Sequence, residues 1–220
     1  MRFSLIQAAM VTSVVLPHAV LAAQKTIPFA YNNDIQTGLI AQVPTGVFTP
    51  ANTLAPAVTF TIPKAKLTAK PPKYNFWNTV NGGALTITLS ASKPSYVYTL
   101  MNAYSPAIGA NIATVAFFGS KGATQSFTLV GGTDIRDFCQ NIYANTINGT
   151  TTQNAFSVSD VVGACGTGNV TTGFVTDYRV DEQQFALSSA FQKQKLIKIV
   201  ITPVNGTPIL LGVTVVPATN

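Results

Sequence analysis

Apolar and polar residues alternate in short stretches along this chain, and the stretches end near Gly, Pro or Asn. Alternation with period two, rich in β-branched and aromatic side chains, is typical of half-buried strands. Turns that recur about every 10–15 residues favour an antiparallel sandwich or barrel, so we predict an all-β fold. The predicted strands are residues 57–62, 84–89, 96–101, 112–118, 125–130, 173–180, 196–202 and 209–216.

The polar stretches between these strands predict turns and two long loops. Residues 119–122 and Asn205-Gly206 have the composition of hairpin turns. Residues 64–73 predict an exposed loop, because their paired prolines cannot lie in a central strand. Residues 139–170, rich in Asn, Thr and Gly, predict a second loop. Helix is limited to one short turn within residues 188–194, since apolar residues nowhere keep a 3.6-residue period.

The N-terminus has the pattern of a secretory signal peptide. Arg2 precedes the apolar stretch 3–16, and small residues up to Ala22 offer a cleavage site. An ordinary buried N-terminal helix is the alternative. No apolar run reaches the ~20 residues of a membrane span. We therefore expect residues 1–22 to be removed, and residues 23–220 to form one β-sandwich domain, secreted to the exterior or held in a periplasm.

Composition narrows the classes of function. Charged residues are 9% of the chain, against about 25% in an average domain, and Thr, Asn, Ser, Gln and Gly supply the polarity, which suits an extracellular surface. The only histidine, His18, lies in the predicted signal peptide. A mature chain without histidine excludes Ser-His-Asp and Cys-His catalysis and histidine-ligated zinc. We therefore predict that the protein is not an enzyme.

Cys139 and Cys165 are the two cysteines of the chain. In an oxidising compartment an even pair is most simply a disulfide, and this one would stabilise the fold by roughly 3–4 kcal/mol in the loop-entropy model. Two free thiols or a metal-binding pair are the alternatives.

Charged residues are densest in two short segments, 134–137 and 179–182. If the segments pair, they form one charge network, which has two interpretations. In the interpretation that we favour, ion pairs hold the loop-bearing end of the sandwich. In the other, the same groups form hydrogen bonds with the hydroxyls of a sugar. The candidate ligand-binding residues are Asp134, Arg136, Asp137, Arg179, Asp181 and Glu182.

Three further chemistries depend on residues of the same regions. Carboxylates from different strands, such as Asp137 with Asp181, would serve a glycosidase or lyase only if they face each other across a sugar. Calcium is a candidate cofactor. It needs about 6–8 oxygen ligands, to which Asp134, Asp137 and Asp160 would contribute. Trp77, the only tryptophan, is a further candidate ligand-binding residue if its ring is exposed for stacking on a sugar, although a buried tryptophan is commoner.

The lysines gather mainly at residues 64–73 and 193–198. Nucleic-acid binding would need a basic face interleaved with aromatic side chains, and Tyr74, Phe76 and Trp77 follow the first group. We favour a solvated, charged loop and expect no nucleic-acid partner.

Two stretches of the sequence resemble a known family. VYTLMNAYSPAIGANIATVAFFGSKGATQSFTLVGGTDIRDF, residues 97–138, and YRVDEQQFALSSAF, residues 178–191, resemble a largely uncharacterised family of secreted bacterial β-sandwich proteins. The resemblance extends over residues 97–215, and GGTDIRD is its most specific piece. It implies a jelly-roll-like sandwich of the kind shared by many carbohydrate-binding domains, and it implies no catalytic residues.

These observations predict a secreted, non-catalytic sandwich that binds carbohydrate or a cell-surface component through loops at one end. A structural or adhesive extracellular protein without a small ligand is the alternative, and a carboxylate-based hydrolase or lyase is the third.

Overall fold

The computed structural model describes residues 23–32, 44–51, 54–66, 68–73, 75–79, 83–139, 144–158 and 178–219. They form antiparallel sheets with a single turn of 3-10 helix, which confirms the predicted all-β fold. The strands are β1 (Lys25–Thr26), β2 (Gly46–Phe48), β3 (Phe60–Ile62), β4 (Trp77–Asn78), β5 (Leu85–Ser92), β6 (Pro94–Tyr104), β7 (Asn111–Gly119), β8 (Thr124–Val130), β9 (Thr152–Val158), β10 (Tyr178–Ala186), β11 (Lys195–Pro203) and β12 (Thr207–Pro217), and the helix is Phe191–Lys193.

Two main sheets carry the sandwich. The first has the order β1-β12-β6-β10-β9, with β4 also beside β12, and the second has the order β5-β11-β7-β8. The chain passes from one sheet to the other between β4 and β5, β5 and β6, β6 and β7, β8 and β9, β10 and β11, and β11 and β12, whereas β7–β8 and β9–β10 are antiparallel pairs within a sheet. The four strands β1-β12-β6-β10 and the four strands of the second sheet, linked in this way, form a jelly roll, to which β4 and β9 are added.

Two hydrophobic cores lie on opposite faces of the first sheet. Val97 and Met101 of β6 belong to the core between the sheets, whereas Tyr98 and Leu100 belong to the core on the outer face. Successive residues of a strand point to opposite faces, so β6 is buried on both. The segment 54–62, which includes β3, covers the outer face with Leu54, Val58, Phe60 and Ile62.

A glycine of β12 allows this cover to lie close to the sheet. A Cβ added at Gly212 would come 3.0 Å from Cδ1 of the Phe60 ring. Any larger residue would push the ring away, so Gly212 fixes how closely segment 54–62 packs.

Several local predictions can be compared with the structure. Residues 119–122 do form the β7–β8 hairpin turn, with Gly122 at a φ of 86°. The hairpin predicted at Asn205-Gly206 is wrong, because β11 and β12 belong to different sheets and the dipeptide forms a corner between them. The predicted long loop 139–170 contains strand β9, and the strand predicted at 173–180 instead covers Tyr178–Ala186 within the described chain.

The predicted signal peptide and Cys165 lie outside the described residues. The export of the chain and the Cys139–Cys165 disulfide therefore remain predictions. Within the part of the chain that the structure describes, no helix is long and apolar enough to cross a membrane.

Candidate functional site

The segment 136–138 is inserted between the end of β6 and the start of β10. The N–H of Ala103 donates to the carbonyl of Arg136 at 3.1 Å, and the N–H of Phe138 donates back to Ala103 at 3.2 Å. On the other side, the N–H of Arg179 donates to the carbonyl of Phe138 at 2.9 Å. We call residues 131–139, 144–151 and 179–181 the loop end.

Arg136 and Asp181 form a bidentate ion pair at the loop end, in which the Asp181 side chain is buried and the Arg136 side chain is 12% exposed. Arg136 Nε lies 2.8 Å from Oδ2 of Asp181, and Nη2 lies 2.6 Å from Oδ1. Asp181 is fully buried, and Asn102 donates from Nδ2 to Oδ2 at 2.7 Å while accepting from the N–H of Asp181 at 2.9 Å. Two parallel charge-assisted hydrogen bonds fix both position and orientation, so the two predicted charged segments are joined here.

Asp137 and Arg179 are also buried, but each is held mainly by backbone. Asp137 accepts from the N–H of Ser105 at 2.7 Å and from the N–H of Cys139 at 2.6 Å. Arg179 Nε donates to the carbonyl of Asp137 at 3.0 Å. Burial raises the pKa of the Asp137 carboxyl above its usual value, although both N–H donors and the charge of Arg179 act to lower it.

Asn145 connects the two arginines. Its carbonyl oxygen accepts from Arg136 Nη1 at 3.3 Å, and its side-chain oxygen accepts from Arg179 Nη2. Next to it, Ala144 accepts from the N–H of Asp137 at 2.9 Å. Both cations therefore hold the segment that follows residue 143 against the end of the sandwich.

Asp134 stabilises a turn rather than joining the ion pair. Its Oδ2 accepts from the N–H of Val130 at 3.1 Å, and its Oδ1 accepts from Nδ2 of Asn148 at 3.2 Å. Asn148 Oδ1 accepts in turn from the N–H groups of Thr150 and Thr151, each at 2.8 Å, and of Thr152 at 3.1 Å. An Asn side chain that binds the N–H groups just after it is a recurrent turn device.

Glu182 lies apart from this network. It is fully buried, and its Oε2 accepts from the N–H of Leu54 at 3.1 Å, on the segment that covers the outer core. Its Oε1 has no hydrogen-bond partner among the described residues. Burial raises the pKa of this carboxyl to about 7, although the Leu54 N–H acts to lower it. Asp181 and Glu182 are neighbours in β10, so their side chains point to opposite faces of the sheet and lie in different surroundings.

Trp77 does not lie with the other candidates. It is 5% exposed, packs in the core between the sheets and pairs with Leu210 of β12. A ring buried in this way has no free face for a sugar, so the exposed alternative is wrong.

The chemistry of the carboxylates is also constrained. All four oxygens of Asp137 and Asp181 accept hydrogen bonds from protein groups, whereas a hydrolase would need two carboxylates that face each other across a sugar. No group of three or more His, Cys, Asp or Glu is placed to hold a metal ion in the described part of the chain, and Asp160 lies outside that part.

A shallow groove beside the loop end was not predicted. It lies between β8 and the β9–β10 hairpin, has a volume of about 140 Å³ and is lined by apolar Phe127, Leu129 and Phe185 and by polar Asp134 and Thr151, among others. The rings of Phe127 and Phe185 are 5.2 Å apart, and Phe127 is half-buried. The alternation of β8 identifies Phe127 as inward-facing, but nothing in the sequence places it opposite β10.

The six charged candidates are thus held by protein groups, and one of them, Asp134, also lines the groove. No protein-family model matches this chain, and no curated protein matches it either. Evidence for a function therefore comes from the contacts, burial and charge of the molecule itself.

Proposed function

We propose that this protein is an exported, non-catalytic module that binds one sugar unit of a carbohydrate chain in the groove beside the loop end. The supporting observation is the combination of the half-buried ring of Phe127, which lies over the buried side chains of Leu129 and Phe185, with the polar groups of Asp134 and Thr151 beside it. A sugar ring has an apolar C–H face and a hydroxyl edge, so it matches such a lining. The volume of about 140 Å³ is below the ~300–1,000 Å³ of pockets for drug-sized ligands, which favours a single ring.

The rim is held in place before any ligand arrives. Asn148 donates to Asp134 at 3.2 Å and to Oγ1 of Thr151 at 2.8 Å, and the ion pair of Arg136 holds the neighbouring segment. A rim that is already ordered in the free protein loses little conformational entropy when a ligand binds. A carboxylate has about four acceptor positions, so Asp134 keeps capacity for ligand hydroxyls.

The buried charge network supports the role of scaffold rather than of ligand site for Arg136, Asp137, Arg179 and Asp181. Their polar groups are already used by protein contacts. The proposal thus follows the structural interpretation that the sequence favoured for these residues, rather than the alternative in which they bind the sugar themselves, and it keeps the site at the same end of the molecule.

A glycan array probed with the mature chain, with and without chelator, tests the proposal. Any sugar bound there is then measured with Thr151→Val, which removes one rim hydroxyl, and with Thr202→Val, the same change on the exposed face of β11. We expect Thr151→Val to weaken binding about tenfold, equal to ~1.4 kcal/mol, and Thr202→Val to leave it unchanged. Equal affinities in the two variants would exclude the groove, and an array without any bound glycan would favour the structural or adhesive alternative.

A further inference from the structure

Lysines and carboxylates lie at different depths in the part of the chain that the structure describes. The sequence has no acidic residue between Asp34 and Asp134, and Asp137, Asp181 and Glu182 are buried. The described lysines are exposed, with the exception of Lys198, which is half-buried and lies 4.1 Å from the centre of the Phe118 ring. No lysine is ion-paired with a carboxylate among the described residues. The exposed charged side chains of the described residues are therefore lysines.

The lysines are closest together in a small hairpin. Lys66 and Lys73 form an antiparallel bridge, in which each N–H donates to the carbonyl of the other at 2.9 and 3.1 Å. Side chains directly opposite in such a pair have Cβ atoms roughly 4.5–5.5 Å apart, and like charges there are destabilising. Lys64 and Lys70 are exposed on the same segment. We call residues 64–73 the lysine hairpin.

We propose that the lysine hairpin binds the carboxylate groups of an acidic polysaccharide. Four exposed ammonium groups on one short segment offer several point charges to a flexible chain of regularly spaced anions, and each bound anion relieves the repulsion between Lys66 and Lys73. The hairpin shares no residue with the groove, so this inference does not depend on the proposed function there.

Two other polyanions fit the surface less well. Single-stranded nucleic acids add stacking of bases on aromatic rings to charge contacts, and Phe76 and Trp77, which follow the hairpin, are 2% and 5% exposed, whereas Tyr74 lies outside the described residues. An anionic membrane would also take exposed apolar side chains, and the described residues of the hairpin, 64–66 and 68–73, include no large apolar side chain.

The test measures binding of the mature chain to immobilised polygalacturonate, with dextran, duplex DNA and vesicles containing phosphatidylserine as the other arms. The test variant is Lys66→Gln/Lys73→Gln. The matched control is Lys193→Gln/Lys195→Gln, which removes the same charge from two other exposed lysines.

We expect the wild type to bind polygalacturonate but not dextran, and to bind about tenfold more weakly at ~300 mM than at ~20 mM salt, because exposed charges are screened. The hairpin variant should bind about tenfold more weakly than the wild type at low salt, and the control within about twofold. Thr151→Val should leave this binding intact, which separates the result from the groove.

Three outcomes would overturn the proposal. Absence of polygalacturonate binding would do so, as would equal losses in the two lysine variants, since net charge alone would then explain the attraction. Tighter binding of DNA or of the vesicles than of polygalacturonate would assign the hairpin to that partner instead.

Discussion

The loop end and the lysine hairpin use charge in opposite ways. At the loop end, the buried Asp181 is paired with the partly buried Arg136, and Asn102 completes the set of hydrogen bonds. In the hairpin, Lys66 and Lys73 lie opposite each other in solvent without an acidic partner among the described residues. Buried charge is tolerated only when it is paired, so the first set is tied to the fold, whereas the second is free to meet a ligand. Substitutions in the two regions should therefore affect different measurements.

The largest effect is expected at the ion pair. Arg136→Met would leave Asp181 buried with one charge uncompensated and should lower the free energy of unfolding by about 3–5 kcal/mol. Urea denaturation measures this, with Lys64→Met as the exposed control, expected within about 0.5 kcal/mol. A loss below about 1 kcal/mol for Arg136→Met would contradict the structural role.

Glu182 should give the next largest effect, through pH. Its pKa is raised from 4.5 to about 7 in the folded protein, so the folded state holds the proton more tightly than the unfolded state. The stabilisation is complete below about pH 4.5 and is lost as pH rises through about 7, which amounts to about 3 kcal/mol at ~1.4 kcal/mol per pH unit.

Glu182→Gln cannot ionise and should remove most of this slope. Chemical denaturation between about pH 4.5 and 8 measures it, and above pH 7 the variant should be the more stable protein. Asp137, whose pKa is also raised, keeps a smaller slope of the same sign in both proteins. Parallel pH curves for the wild type and the variant would show that Glu182 does not titrate in this range.

A smaller loss is expected from Asn148→Ala. The change leaves the N–H groups of Thr150, Thr151 and Thr152 without their acceptor, and those groups are partly solvated, so we expect a loss of about 1–2 kcal/mol. Thermal denaturation measures it, with Asn205→Ala at the exposed corner between the sheets as control. Similar melting temperatures for the two variants would contradict the capping role.

The smallest effect on stability belongs to the lysine hairpin. Lys66→Gln/Lys73→Gln removes a like-charge pair and should change stability by no more than about 0.5 kcal/mol, in the stabilising direction at low salt. Melting curves at low and high salt measure it. A clear destabilisation would mean that these lysines belong to the fold, as Arg136 does.

Local chemistry made part of this molecule predictable. Gly122 needs a positive φ, so the 119–122 turn was identified, whereas Asn205-Gly206 has equal turn chemistry but joins two sheets, a property of topology that no dipeptide contains. The scarcity of charge led to the hypothesis of one charge network if segments 134–137 and 179–182 pair, and Arg136 and Asp181 do form an ion pair, whereas Asp134 and Glu182 have other partners. Strand β9 was missed, since its Thr, Gln and Asn resemble a loop.

The groove could not be predicted from the sequence, because it also depends on topology. Phe127 and Phe185 belong to strands that are far apart in the chain and lie in different sheets. Each has the ordinary pattern of a core residue, and only the packing of the two sheets leaves one face of Phe127 open.

The position of β12 determines how the chain reaches this fold. The last strand that the structure describes lies inside the first sheet, where Thr207 pairs with Tyr104 and Val215 with Lys25. β6 therefore pairs with a strand that is far away in the sequence, and pairing of this kind places folding in about the millisecond-to-second range.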